Sequence, residues 1–289
     1  MNKWIIGARV KTLPAAISPV LVGTALAEEV NWINALLALL VSLSLQISVN
    51  FANDYSDGIR GTDNYRVGPV RLVGSGLASA KSVKQAMFIS FAIAAISGLI
   101  LALQTSYWLI LVGAVSILAA WGYTGGNKPY GYLGFGEISV FIFFGLVATV
   151  GSYYVQSNQI SARAVLLSIP IGALACAILV MNNLRDLPSD KQAGKRTFAV
   201  RIGDTKTRYF YLLLLITAQL ICAYAYTFNS YALLTLIWLP LTINNCRMVL
   251  RGVSGTALIP LLVSTARLQL LLSFTLGLAL FIYSITICA

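Results

Sequence analysis

Nine stretches of this chain are continuously apolar over close to the ~20 residues that a helix needs to cross a bilayer. They fall near residues 13–29, 33–54, 82–103, 106–124, 138–156, 163–183, 208–227, 231–248 and 268–287. Lipid offers no partners for backbone N–H and C=O groups, so such segments must be helices or strands of a closed barrel. Barrel strands alternate polar and apolar residues, and these stretches do not. An all-α, polytopic membrane fold is expected. The composition agrees, with 58% of the 289 residues hydrophobic and 10% charged, far below the about 25% charged of a soluble domain. The first stretch follows Lys3, Arg9 and Lys11 and ends in Ala25-Leu26-Ala27, the outline of a signal peptide. Pro14 and Pro19 interrupt it, and a retained first span is expected.

The loop charges orient the nine spans. Nineteen of the twenty Lys and Arg fall on the side of the N-terminus, and only Arg163 falls on the other, with Glu28 and Glu29. The positive-inside rule makes the basic side cytoplasmic. The expected topology is therefore N-terminus inside and C-terminus outside, with the basic loops toward the cytoplasm. The bilayer is the expected partner, nucleic acid is not, and the oligomeric state is left open. Histidine is absent, which excludes an imidazole base and His-ligated metals. Cys176, Cys222, Cys246 and Cys288 lack metal spacing and read as small hydrophobes.

Nine acids remain to carry acid–base or metal chemistry, and six, Asp54, Asp57, Asp63, Asp186, Asp190 and Asp204, gather at two places. Long inside loops are expected near 55–81 and 184–207. The first constellation holds Asn50, Asn53, Asp54, Asp57 and Asp63; the second holds Asn182, Asn183, Asp186 and Asp190. Asn50, Asn53, Asp57 and Gly61 align with Asn183, Asp186, Asp190 and Gly194 at the spacing 3, 4, 4, one stripe of a helix. The match suggests a single domain over 1–289 built of two similar halves, about 13–124 and 138–248, plus a ninth helix at 268–287.

Paired carboxylates aimed at one point repel unless a cation joins them. Mg²⁺ suits them, since it takes oxygen ligands and shares them among carboxylates, waters and phosphates. Arg60, Arg66, Arg71, Lys128, Lys191, Lys195 and Arg196 stand nearby, donors of the type that grip phosphate oxygens. Either acid pair alone reads equally as helix-end caps. Both together, at matched spacing on one face, imply a diphosphate head with a lipid tail. Amides within spans also default to function. A transporter is the competing class, but its polar residues should reach both water faces, and these crowd one.

At Asn53-Asp54-Tyr-Ser-Asp57 and Asp186-Leu-Pro-Ser-Asp190 the chain resembles the UbiA-type superfamily of intramembrane aromatic prenyltransferases. The resemblance covers essentially the whole chain and implies a nine-helix bundle. Further stretches, Trp4–Pro14, Arg71–Gly76, Tyr123–Tyr130 and Gly194–Thr197, are most similar to the subgroup that prenylates naphthoates. A third acid expected in benzoate enzymes four residues past the second is Gly61 here, and the acid is Asp63. The resemblance thus implies transfer from polyprenyl diphosphate to 1,4-dihydroxy-2-naphthoate, with decarboxylation. A 4-hydroxybenzoate or homogentisate acceptor is the alternative. It implies Mg²⁺ on Asp54, Asp57, Asp186 and Asp190, and diphosphate on Asn53, Arg60, Arg71, Lys128 and Lys195. Asn50, Asp63, Tyr130, Asn182 and Asn183 would shape the site or touch the aromatic substrate. Trp108, Phe141, Phe143, Phe144, Tyr153 and Tyr154 are candidates to line the tail passage.

Overall fold

The computed structural model describes residues 2–62 and 68–288, so Asp63 and Arg66 lie outside the described residues, as does the Cys288 side chain. Every regular element among the described residues is helical. We number them α1 (Lys3–Ala8), α2 (Pro14–Ala25), α3 (Trp32–Arg60), α4 (Ala80–Gln104), α5 (Trp108–Gly122), α6 (Gly136–Ser157), α7 (Ala162–Gln192), α8 (Phe198–Ile202), α9 (Asp204–Tyr224), α10 (Ser230–Leu250) and α11 (Leu258–Cys288). Seven are long and apolar enough to cross a membrane. An eighth arises if the segments Lys3–Thr12 and Pro14–Ala25, bent by 53° at their junction, form one span. Pro14 at the start of α2 has no N–H to donate and suits a first turn, which places the bend there. The remaining apolar stretch, α5, has 15 residues.

Two helices run further than their apolar stretches. α3 continues to Arg60 and α7 to Gln192, so the segments expected as loops from 55 and 184 begin as helix. Hydropathy ends where polar side chains begin, but the backbone ladder stops only at a breaker. For α3 that breaker is Gly61, at φ 70° in the left-handed region. At their other ends, Asn31 accepts from the N–H groups of Ile33 and Asn34, and Ser161 from that of Ala164. These N-caps satisfy donors the first turn leaves orphaned. α11 likewise starts at Leu258, ten residues before the expected span.

α7 is the mast of the bundle. Ahead of its polar end it is apolar on all sides, as a core helix must be, and 78% of that apolar window is buried inside the protein. It packs against α6, α9 and α11, while α3 pairs with α4 and α2 packs against α11 and α6. Gly145 of α6 and Gly172 of α7 let those two backbones approach closely. A Cβ on Gly145 would lie 2.7 Å from the Gly172 Cα. Around that contact α6 is wound as a π-helix, Phe141–Val147.

Gly145→Leu is therefore expected to force α6 and α7 apart and destabilise the protein by about 1–3 kcal/mol. Gly113→Ala, whose new methyl would meet nothing within 4 Å, should leave the thermal midpoint in detergent unchanged. Thermal unfolding of the two purified variants checks the pair.

Candidate active site

Because α3 and α7 overrun their apolar stretches, both acidic constellations ride on helix ends. Asn50, Asn53 and Asp57 from α3, and Asn182, Asn183, Asp186 and Asp190 from α7, line one cavity. Asp57 is the hinge of the cluster. It is 3% exposed, its Oδ1 accepts from Lys195 Nζ at 3.2 Å, and Arg71 Nη2 lies 3.6 Å from its Oδ2. The Tyr132 hydroxyl donates to the same Oδ1. Lys195 Nζ also lies 3.9 Å from Asp190 Oδ1, so one ammonium ties the two constellations together. A carboxylate this buried persists only with such compensation. Burial, then the Asp57 charge, hold the Tyr132 phenol well above its usual range, so it stays protonated and a donor.

Other expected residues have different partners. Asp54 accepts from the N–H groups of Leu72 and Val73, at 2.9 and 3.1 Å. It clips the loop that carries Arg71. Arg60 is likewise turned from the cavity. Its Nη1 donates to the Thr124 carbonyl at 2.6 Å, its Nη2 to that of Gly126, and its guanidinium stacks 5.5 Å from the Tyr132 ring. Lys128 is exposed. Asp186 receives Arg185 on both oxygens, at 2.7 and 2.8 Å. Tyr130 lines the cavity, but its hydroxyl serves the Ala119 carbonyl and Ser139. The residue two further on, Tyr132, is the one that reaches the acids. Asn53 Oδ1 accepts from Thr124 Oγ1 at 2.7 Å, and Asn50 Nδ2 donates to the Ala8 carbonyl at 2.9 Å.

Three functional candidates escaped the spacing argument: Tyr132, Arg185 and Arg9. Arg9 has a left-handed backbone, φ 52°, a conformation a non-glycine residue holds at a cost. It lines the cavity, and its Nη2 is buried without a hydrogen-bond partner. The one sequence signal was its place in the basic N-terminal tail, where topology also explains it.

The cavity measures about 860 Å³. From the acids it follows one face of α3, through Val49, Gln46, Ser42 and Val41 to Ala38. Nineteen residues separate Asp57 from Ala38, roughly 28 Å of helix. Leu101 and Gly98 of α4, Leu109, Val112 and Gly113 of α5, and Val155 of α6 complete its apolar walls. Phe143 and Phe144 line it, as expected; Trp108 is 75% exposed. The volume has a charged end and a long apolar remainder. Among the described residues no three acids converge as a ready metal site. The donor set is nonetheless one carboxylate from α3 and two from α7 beside amide oxygens. That fits a hard cation such as Mg²⁺, which binds through one or two carboxylates and takes further oxygens from phosphate and water.

Asp54→Asn should loosen the 71–73 loop, because its amide N–H₂ group would face a backbone donor. A loss of about 1–3 kcal/mol is expected, with Lys128→Ala near zero. Thermal melts of both variants measure the contrast.

The profile of the UbiA prenyltransferase family matches residues 16–256. A 1,4-dihydroxy-2-naphthoate octaprenyltransferase of Mycobacterium tuberculosis is 49% identical over 266 residues, 91% of this chain and 91% of its own length. One of that name from Escherichia coli is 38% identical over 292 residues, covering 96% and 95%. Among solved structures, a UbiA homologue from Aeropyrum pernix superposes with a TM-score of 0.74 at 16% identity, covering 95% of this chain and 98% of that one. Another from Archaeoglobus fulgidus, described as bound to DMAPP and Mg²⁺, gives 0.66 at 15% identity, over 97% and 99%. With its helical bundle, its two acid-bearing helix ends and a profile match over most of its length, the chain is a membrane protein of the UbiA prenyltransferase family.

Proposed function

We propose that this prenyltransferase moves a polyprenyl group from its diphosphate to 1,4-dihydroxy-2-naphthoate, releasing diphosphate and CO₂ and leaving the hydroquinone form of demethylmenaquinone. The observation that carries the reading is the cavity: acids and bases from both constellations meet at one end, and an apolar passage runs along α3 from there. A head of phosphate with a lipid tail matches it. The relatives that share 49% and 38% of residues are named for the naphthoate acceptor and an octaprenyl donor, which supports that acceptor and a long chain.

In this reading Asp57, Asp186 and Asp190 hold Mg²⁺ together with the diphosphate, and the ion supplies positive charge to the departing group. Arg71 and Lys195, already beside Asp57, neutralise the remaining phosphate charge; such preorganised charge lowers the barrier to breaking the allylic C–O bond. Tyr132 holds Asp57 in place through its hydroxyl. Asp54 and Arg60 act one step back, by shaping the loops at 71–73 and 124–126. The apolar walls keep water from the allylic cation until the electron-rich ring attacks. The bond to the ring carboxylate then breaks, and its electron pair returns to the ring as CO₂ leaves. No histidine is required. Arg9 lies next to Ala8, which receives Asn50, one turn deeper than Asn53; its unpaired Nη2 there suits the acceptor carboxylate.

We read α5 as a ninth span and the two constellations as the same ends of two similar halves. The N-terminus and the charged end of the cavity then face the cytoplasm, as the loop charges require.

Asp57→Asn and Asp190→Asn are each expected to lower kcat by about 100-fold or more, and EDTA to abolish turnover until Mg²⁺ is restored. Diphosphate release from membranes carrying the full chain measures both. Retained turnover in the Asp57 variant removes that residue from the metal set. A second assay offers 1,4-dihydroxy-2-naphthoate or 4-hydroxybenzoate with one donor. Product is expected on the naphthoate alone, and Arg9→Ala should raise its KM about tenfold or more.

A further inference from the structure

Glu137 lies outside the cavity lining that would receive the diphosphate, yet it is a buried carboxylate beside the cavity residue Asn183. It opens α6 and is 7% exposed. Its Oε1 accepts from Asn183 Nδ2 at 2.9 Å, and its Oε2 is buried without a hydrogen-bond partner. Burial of an acid on such terms is expensive and defaults to function.

The surroundings hold Glu137 in place. The Cys176 thiol donates to its backbone carbonyl at 3.0 Å. Gly136 beside it leaves room for Tyr123 and Leu179: a Cβ there would lie 3.1 Å from the Tyr123 hydroxyl and 3.3 Å from Leu179 Cδ2. Two turns on, the Gly145–Gly172 contact presses α6 against α7 through the π-helical stretch, a winding enriched at functional sites. Position and direction of the carboxylate are therefore set by backbone packing, before any ligand enters.

Asn183 lines the cavity, one turn before Asp186 on the side away from the helix end. Glu137 Oε1 accepts from the Asn183 N–H₂ group, so this contact decides which way the Asn183 amide points. The N–H₂ group goes to Glu137, and the carbonyl Oδ1 is left for the cavity. A bare amide oxygen is a poor partner for phosphate oxygens and a good one for a hydroxyl donor. We propose that Glu137 is a positioning residue for the aromatic acceptor: it locks the Asn183 amide so that Oδ1 receives a hydrogen bond from a ring hydroxyl. This rests on the hydroxynaphthoate reading and adds to it the group that recognises the hydroxyl. The bond leaves the proton on the substrate oxygen and draws density toward that oxygen, which favours attack by the ring.

The test uses membranes bearing the full chain and two unreactive competitors, 2-naphthoate and 4-hydroxy-2-naphthoate. Their inhibition constants are measured against 1,4-dihydroxy-2-naphthoate. The wild type is expected to prefer the hydroxylated competitor about tenfold, the worth of one such bond. The preference should fall to near unity in Glu137→Ala and in Asn183→Ala, and no further in the double variant, because the two act through one hydrogen bond. Glu137→Gln still offers an oxygen to Asn183 and should keep most of the preference. Glu137→Asp, which withdraws the carboxylate by one methylene, should lose it, and serves if the alanine variant does not fold. The KM for the prenyl donor should not move. An unchanged preference in the Ala or Asp variant, or a rise in donor KM or Mg²⁺ requirement instead, overturns the proposal. A wild type that prenylates no naphthoate overturns the acceptor reading, and this inference with it.

Discussion

The Asp57 carboxylate is where three distant parts of the chain meet. It comes from the end of α3, Arg71 from the loop after it, Tyr132 from the connection between α5 and α6, and Lys195 from beyond α7. A buried anion at a lipid boundary cannot stand alone, so each partner is obliged to come to it. The clips around it follow from that obligation. Asp54 fixes the loop that delivers Arg71, and Arg60 fixes the turn that precedes Tyr132. Two acidic residues only three positions apart thus serve different ends, Asp57 toward the cavity and Asp54 toward the backbone.

The same physics divides the cavity. Charged groups are affordable only where donors and acceptors are dense, at the ends of α3 and α7. Deeper in the bundle the lining turns apolar, relieved by amides each tied to a neighbour: Asn50 to Ala8, Asn53 to Thr124, Asn183 to Glu137. A diphosphate head, a ring with polar edges and a hydrocarbon tail would be sorted along this gradient without a moving part. The glycine contact between α6 and α7 allows it, since it brings Glu137 within hydrogen-bond reach of Asn183.

Much of this was legible in the residues. The helical class, the places of the apolar segments and the convergence of Asn53, Asp57, Asp186 and Asp190 on one site follow from hydropathy and a 3, 4, 4 spacing. The extent of α3 and α7 did not, because polarity marks the edge of lipid and not the end of a helix. Nor did the assignment of Arg60 and Lys128 away from the cavity. A basic residue near an acid in sequence has many places to point, and a folded turn chose the carbonyls of Thr124 and Gly126 for Arg60. Tyr130 and Tyr132 could not be told apart, since which of two tyrosines faces the acids depends on a single helical turn.

By itself the sequence determined the solvent this protein lives in, the helical class of its segments, and the oxygen-rich chemistry left to a chain without histidine. Those properties depend on residue type and period, which are local. Only the tertiary structure decided which acid faces the cavity and which holds a loop, which base is committed and which has a donor to spare, and that Glu137 stands behind Asn183. Such choices depend on contacts between residues as much as 138 positions apart, as between Asp57 and Lys195. Hydrogen bonds at 3 Å are set by how helices pack, and packing is a property of the whole bundle.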